Sequence, residues 1–468
     1  MRRPSAGGRD KPMPAASQPS IDSGPSHRDD VRWTGRRLAF KAVVVAMLTI
    51  LLLIPLGMIN GTIRERQDYR LQAVTAVAGS FAGPQTIAGP VLVVPYVDEV
   101  QYEDKDALGK PVLRTSRTSK RHVLFPATLR VEGTLVPSIR KRGLHEVRVY
   151  ELQATLDAGF DTTLPPDGAG AKRTLGEPYL SFSIADVRGL VGSPALTVNQ
   201  RPTPLAQGVG GHREGAGLNA RLPALVEGER IRLATRLKIV LGGTESLAIA
   251  PVADSNVVEL ASNWPHPQFG GRFLPRTRSI DSNGFKARWE LSSLAAGTQV
   301  QYLQSAEVLD TLDVSLVEPV NVYSQADRAS KYGVLFVMLT FVAFFMFELL
   351  KRLPIHPIQY GLVGLALAIF FLLLLSLSEH MEFWIAYLAA SVACIGLLAF
   401  YLSSVLRSMM RGAGFAAGLT LLYAALYGLL VSEDNALVLG SLMLFVILAA
   451  LMGVTRRIDW YAPTAAPH

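Results

Sequence analysis

A chain of 468 residues with one cysteine is too long for one ordinary domain and cannot form an intrachain disulfide. Charged residues are only 18% of it and the mean hydropathy is +0.27, which argues against a wholly soluble protein. The net charge of +8 does not point to nucleic acid: residues 61–330 hold 30 Lys+Arg and 28 Asp+Glu, and no basic stripe carries interleaved aromatics.

Residues 1–35 are rich in Pro, Ser, Gly, Arg and Asp and are expected to be a disordered cytoplasmic tail. Arg36, Arg37 and Lys41 lead into the apolar run Ala42–Ile59. That run is too long for the core of a cleaved signal peptide, and the first Ala-x-Ala (Ala76, Ala78) lies far downstream. It reads as a signal anchor over 36–60, with Pro55 a candidate kink. Thr62-x-x-Glu65 has capping-box spacing and predicts a short separate helix over 63–78.

From there the pattern turns to strands. Thr86–Val97, His122–Val136, His145–Leu156, Tyr179–Ile184, Ile231–Leu241, Ser246–Val252, Val257–Leu260, Phe285–Leu291 and Leu312–Val317 are short and rich in Val, Ile, Leu and Thr. Arg230–Ile239 alternates most cleanly. Turn clusters such as Leu164–Gly168 and Gly208–Gly217 separate them, with no helical pattern between. The expected fold over 61–330 is an antiparallel all-β, sandwich-like domain.

Lys331–Leu350 is long and apolar enough to cross a bilayer, and Asp327, Arg328 and Lys331 mark its water-side boundary. Pro357–Leu377, Phe383–Leu406, Ala413–Val431 and Ala436–Val454 follow. With the anchor, six transmembrane helices form a membrane α-helical bundle, the β domain being inserted between helices 1 and 2. Nine Lys/Arg in residues 1–41, then Lys351, Arg352, Arg407, Arg411, Arg456 and Arg457, fall on one side; the opposite connectors Ser378–Glu382 and Ser432–Asn435 hold none. The positive-inside rule puts both termini in the cytoplasm and the β domain in the periplasm.

Chemistry is sparse. Glu348 lies about a turn from the end of its span and reads as an interfacial anchor, with a proton relay the alternative. Glu379, His380 and Glu382 share one outer connector and could bind a cation or meet the β domain; solvated loop residues are the alternative. Ser376 and Ser378 can bond to backbone carbonyls. Gly414-x-x-x-Gly418 could admit a close helix contact, inside the bundle or between copies. Gly168–Thr174 and Gly208–Gly217 lack phosphate-loop spacing, and His122, His145, His212 and His266 lack metal-ligand spacing. No Gly-x-Ser-x-Gly elbow occurs, and Cys394 is read as a small core residue. No cofactor is expected. Two prolines bracket His266, with Trp264 and Phe269 flanking: a rigid extended loop that is either a binding edge or a plug for the core. Asp186 and Arg188 could close a turn as an ion pair.

Several stretches resemble one family. They are Glu65–Arg70, Gly83–Pro90, Ala185–Gly189, Ser262–Pro267, Asp327–Tyr332 with Leu339–Glu348, His356–Tyr360 with Leu377–His380, and Arg457–Tyr461. Together, in this order, they resemble the CreD family of bacterial inner-membrane proteins, also called cell envelope integrity proteins. The resemblance implies a role in envelope integrity and a link to a two-component response to envelope stress and β-lactams. It implies no catalytic residues. A non-enzymatic inner-membrane protein that engages other envelope proteins or lipids through its periplasmic domain is the resulting expectation. A transporter or lipid-handling protein, a membrane hydrolase and a sensor are its rivals.

Overall fold

The structure is a computed structural model that describes residues 27–105, 110–165, 171–226, 228–306, 308–316, 322–351, 355–406, 408–432 and 436–456. The tail before residue 27, the turn around Asp167, the run beginning at Gly168, the basic residues Arg352, Arg407 and Arg457, and the C-terminal tail lie outside them. The chain divides into two compact units, Thr62–Ser324 and the remainder, Met1–Gly61 with Gln325–His468.

Helix α1 spans His27–Ser80 without a break, with Pro55 inside it. Two expectations change here. Residues 27–35, read as disordered, are helical, and the short helix over 63–78 is not separate. Thr62 therefore caps nothing: its neighbours on both sides already supply helical carbonyls and amides, so a capping box has no free end to close.

Seventeen described strands follow: β1 (Gln85–Lys105), β2 (Pro111–Leu124), β3 (Thr128–Arg142), β4 (His145–Thr163), β5 (Ala171–Leu175), β6 (Tyr179–Ile184), β7 (Ala195–Val198), β8 (Arg201–Thr203), β9 (Ala206–Gln207), β10 (Gly217–Arg221), β11 (Arg230–Thr244), β12 (Ser246–Ala250), β13 (Ser255–Ser262), β14 (Pro267–Gly271), β15 (Thr277–Asp281), β16 (Gly284–Ser292) and β17 (Leu312–Leu316). Two short helices, α2 (Ser293–Ala296) and α3 (Thr298–Leu303), sit between β16 and β17. One sheet runs β14-β17-β12-β1-β6-β10-β9, with β2 and β5 also paired to β1. The other runs β15-β16-β13-β3-β4-β11-β7-β8. Val91, Leu92, Phe182 and Ile249 of the first sheet and Leu135, Leu152, Leu260 and Trp289 of the second are all under 3% exposed and share one core. In β13 alternate residues are buried, as a sheet with one wet face requires.

The sheets are not purely antiparallel. β1 pairs β12 in parallel, Gln85 opposite Leu247, and β3 pairs β13 in parallel, Thr128 opposite Ser255. Parallel neighbours need long crossovers, which local alternation cannot reveal. The run His122–Val136, read as one strand, is the end of β2 and the start of β3, broken at Pro126. β1 and β2 continue as a hairpin arm from Asp98 with Thr118 to Lys105 with Pro111. Every residue of β2 from Pro111 to Arg121 is exposed.

In the second unit, α4 (Val322–Lys351), α5 (Pro357–Ser378), α6 (Phe383–Val405), α7 (Met409–Val431) and α8 (Ala436–Thr455) follow. Among the described residues five segments are long and apolar enough to cross a membrane, Val43–Ser80, Tyr323–Met346, Pro357–Ser378, Phe383–Val405 and Met409–Val431, and so contact lipid. The apolar stretch in α8, Leu437–Gly453, is shorter. Close helix contact falls at Gly364, not at Gly414 or Gly418. A Cβ on Gly364 would run into Leu52 of α1 and lie 2.7 Å from the Phe341 ring, whereas nothing lies within 4 Å of one at Gly414 or Gly418. Among the described residues, Gly414 and Gly418 make no close contact within the bundle.

Candidate functional site

The residues singled out in the sequence fall in three separate places. Asp186 caps a single 3-10 turn after β6, Val187–Gly189, and Arg188 lies inside it. Their ion pair is 2.6 Å long. Asp186 also accepts from the Gly83 amide at 3.1 Å, and its backbone exchanges hydrogen bonds with the Gln85 side chain at 2.9 and 3.2 Å. Arg188 reaches on to donate to the carbonyl of Gly79 at 2.6 Å. That carbonyl is one of the last in α1, where a helix leaves acceptors unfilled and its dipole favours a cation. The Arg188 guanidinium, with the Gly83 and Arg188 amides, holds the Asp186 carboxyl at about 2, against the opposing pull of burial. This is a helix cap and a junction clamp.

Trp264 donates from its indole nitrogen to the carbonyl of His266 at 3.0 Å, closing the proline-bracketed loop on itself. The Arg148 guanidinium stacks over the Trp264 ring at 3.7 Å. Phe269 meets Phe285 and Trp289 edge-on at 5.6 and 5.7 Å. Two of the three aromatic groups are therefore turned toward the core, and His266 is the exposed one. Glu379 and His380 end α5 in the other unit, and the His380 ring nitrogen Nδ1 sits 3.1 Å from the Ser376 carbonyl. Ser378 bonds to the Leu375 carbonyl at 2.9 Å. Glu382 accepts from the Trp384 indole at 2.6 Å.

Sequence reading missed a buried polar cluster. His212, 5% exposed, lies inside the glycine-rich loop before β10. Its Nδ1 is 2.8 Å from the Val209 carbonyl and its Nε2 is 2.8 Å from the hydroxyl of Tyr302, 3% exposed, on α3. A carbonyl only accepts, so Nδ1 carries the proton and Nε2 accepts from the tyrosine. Ser181 donates to the same Val209 carbonyl at 2.9 Å. Arg213 stacks over the Tyr302 ring at 4.6 Å, and Arg121 donates to the Gly211 carbonyl at 3.2 Å. Burial pushes the His212 pKa down, and the two arginines add to the shift. The loop's glycines serve this packing: Gly210 has φ +82 and leaves room only for the Tyr179 ring. One histidine inside a glycine-rich loop was the signal; its partner 90 residues away was not legible.

A second buried pair stands at the base of the arm. Arg173 and Asp98, 8% and 10% exposed in their side chains, pair at 3.0 Å. Arg173 also covers the Tyr96 ring, on which His122 stacks at 4.4 Å. Among the described residues no three of His, Cys, Asp or Glu gather in a group that could hold a metal ion. In the bundle, the hydroxyl of Tyr360, fully buried, donates to Glu348 at 2.7 Å, and the Ile355 amide approaches the same carboxylate at 3.4 Å.

The family profile described as Inner membrane protein CreD matches residues 37–461. A curated relative, Inner membrane protein CreD of Escherichia coli (strain K12), is 37% identical over 421 residues, 88% of this chain and 91% of the relative. Among solved structures, a mutant M1 zinc metallopeptidase from Deinococcus radiodurans bound to a Tyr-Ser-Ala substrate shares 11% identity at a TM-score of 0.20. It covers 41% of this chain and 42% of that one. Likeness at that level transfers neither fold nor activity.

Proposed function

The chain belongs to the CreD family of inner membrane proteins, and on that premise we infer that it supports cell-envelope integrity without an enzymatic site, its β domain engaging other envelope components. In this reading α8 is the sixth span, both termini are cytoplasmic and the β domain is periplasmic, because the short connectors sort their Lys and Arg to one side. The observation that carries the reading is the β1–β2 arm. Val100, Tyr102, Val112 and Leu113 stand 41–70% exposed on it, where a domain built only for its own stability has no use for them. The polar clusters, by contrast, face inward: His212 with Tyr302, and Asp98 with Arg173, are closed from water and satisfied by one another. That supports structural duty for them.

The test is a full-length chain whose arm is cut back, joining Glu99 to Arg117 through a two-glycine turn, expressed in a strain lacking the native protein. Normal membrane insertion with lost resistance to detergent and dye entry is the expected result. Full resistance with the arm gone, or turnover of an envelope substrate by the purified full chain, overturns the reading. The transport or lipid-handling reading draws on Glu348 and Tyr360, a carboxylate bonded inside the bundle.

A further inference from the structure

Between α6 and α7 runs a groove of about 550 Å³, lined by Trp384, Tyr387, Ser391, Gly396, Thr420 and Tyr427 among others. Its origin is a size mismatch: small residues on both helices lie between large aromatic ones. The tyrosines behind it turn their hydroxyls away. Tyr387 donates to the Tyr423 carbonyl at 2.7 Å, and the Tyr423 hydroxyl lies 3.2 Å from Cys394 Sγ. What faces the groove is therefore almost wholly apolar. From Trp384 to Gly396 it follows about 18 Å of helix, a little over half of a hydrocarbon core roughly 30 Å thick. It starts in the first turn of α6 and ends near its middle. The neighbouring side chains Leu388, Val392, Leu397 and Leu421 are 56–74% exposed, so the groove is continuous with the lipid-contacting surface of these two spans. Glu382 stands beside its Trp384 end, its carboxylate accepting from the Trp384 indole at 2.6 Å, and residues 378–384 contain no Lys or Arg. An anionic headgroup would meet that carboxylate there; an ammonium would find an acceptor.

We propose that this groove holds one hydrocarbon chain of a phospholipid whose headgroup carries an ammonium, set against Glu382. The chain needs no hydrogen-bond partner, and the leaflet-length slot takes one tail. The Glu382 carboxylate chooses the head. The proposal stands apart from the envelope reading and survives its failure.

The test uses the full-length chain in phosphatidylglycerol nanodiscs carrying trace phosphatidylethanolamine or phosphatidylglycerol, each with the same diazirine-bearing acyl chain. Labelled peptides are mapped by mass spectrometry. The ethanolamine probe is expected to label Trp384–Gly396 or Thr420–Tyr427 at least about fivefold more than the glycerol probe, a difference of about 1 kcal/mol. Ala424→Phe fills the groove and is expected to remove that labelling; Thr420→Leu does so more gently if the first variant does not fold. Leu421→Phe, on the open face, leaves it unchanged. The change Glu382→Gln brings the two probes within about twofold. Labelling spread evenly over all exposed helix faces, labelling indifferent to Ala424→Phe, or a glycerol probe that labels as well as the ethanolamine one overturns the proposal.

Discussion

Arg188 and Gly79, far apart in sequence, are joined by a 2.6 Å hydrogen bond from guanidinium to carbonyl. Through it the end of α1 is tied to the turn after β6, and Asp186 holds the arginine in place at 2.6 Å. Arg188→Ala is expected to lower stability by about 1–3 kcal/mol, since it uncaps a helix and strands a half-buried carboxylate. Thermal unfolding of the full chain in detergent, followed by tryptophan fluorescence, measures it.

The same pair sets an acid limit. Asp186 titrates at about 2 in the folded protein, below the usual carboxylate value, because Arg188 and two amides favour its charged form. The stability this supplies, on the order of 2 kcal/mol, is complete above about pH 4 and drains as pH falls toward 2. Asp186→Asn is expected to lose it at neutral pH and to flatten the pH dependence in that window. An unchanged slope below pH 4 contradicts the assignment.

His212 works in the milder range. Burial first, and then Arg121 and Arg213, depress its pKa, so the unfolded chain takes up its proton before the folded one does. Its contribution is whole above about pH 6.5 and falls as the medium is acidified below that. Protonation also removes the acceptor for the Tyr302 hydroxyl. His122, likewise lowered mainly by burial, adds in the same direction. Comparing melting temperatures at pH 7.5 and 5.5, His212→Gln is expected to show a smaller drop than the parent.

The proline-bracketed loop separates its residues by depth. Phe269→Ala is expected to cost about 3 kcal/mol, because the ring abuts Phe285 and the fully buried Trp289. Trp264→Ala exposes Arg148 and costs less. His266→Ala, at an exposed ring, is expected to stay within about 0.5 kcal/mol. Chemical denaturation of the three variants orders them.

In the bundle, Gly364→Leu is expected to prevent stable folding in detergent, since even a Cβ there collides with Leu52. Gly418→Leu, facing open space, is expected to be tolerated. Size-exclusion profiles of the two variants decide.

The spans were legible because bilayer thickness imposes length and apolarity on each separately: α5 begins at Pro357 and α6 at Phe383, as the apolar runs do. The start of α4 at Val322 was not, because its first turns carry Asp327 and Arg328 and resemble a connector. Strands with one buried face, such as β11 and β13, were read from their alternation. The arm was invisible: β2 is exposed on both faces, so its Arg, Ser and Thr residues carry no period. The candidate site residues carried their local roles in their spacing, as Asp186 and Arg188 show, but not their distant partners. Nothing near Arg148 announces Trp264, nor anything near His212 Tyr302.

The parallel pairs have a consequence for biogenesis. β1 cannot find β12, nor β3 find β13, until residues up to 262 have left the ribosome. At roughly 5–20 residues per second that is a wait of about 8–30 seconds after β1 emerges. For that interval the nascent domain carries bare strand edges, and closing so large a loop is slow. Chaperones that shield unpaired strands would act in this window, and a pause introduced just before β12 would lengthen it.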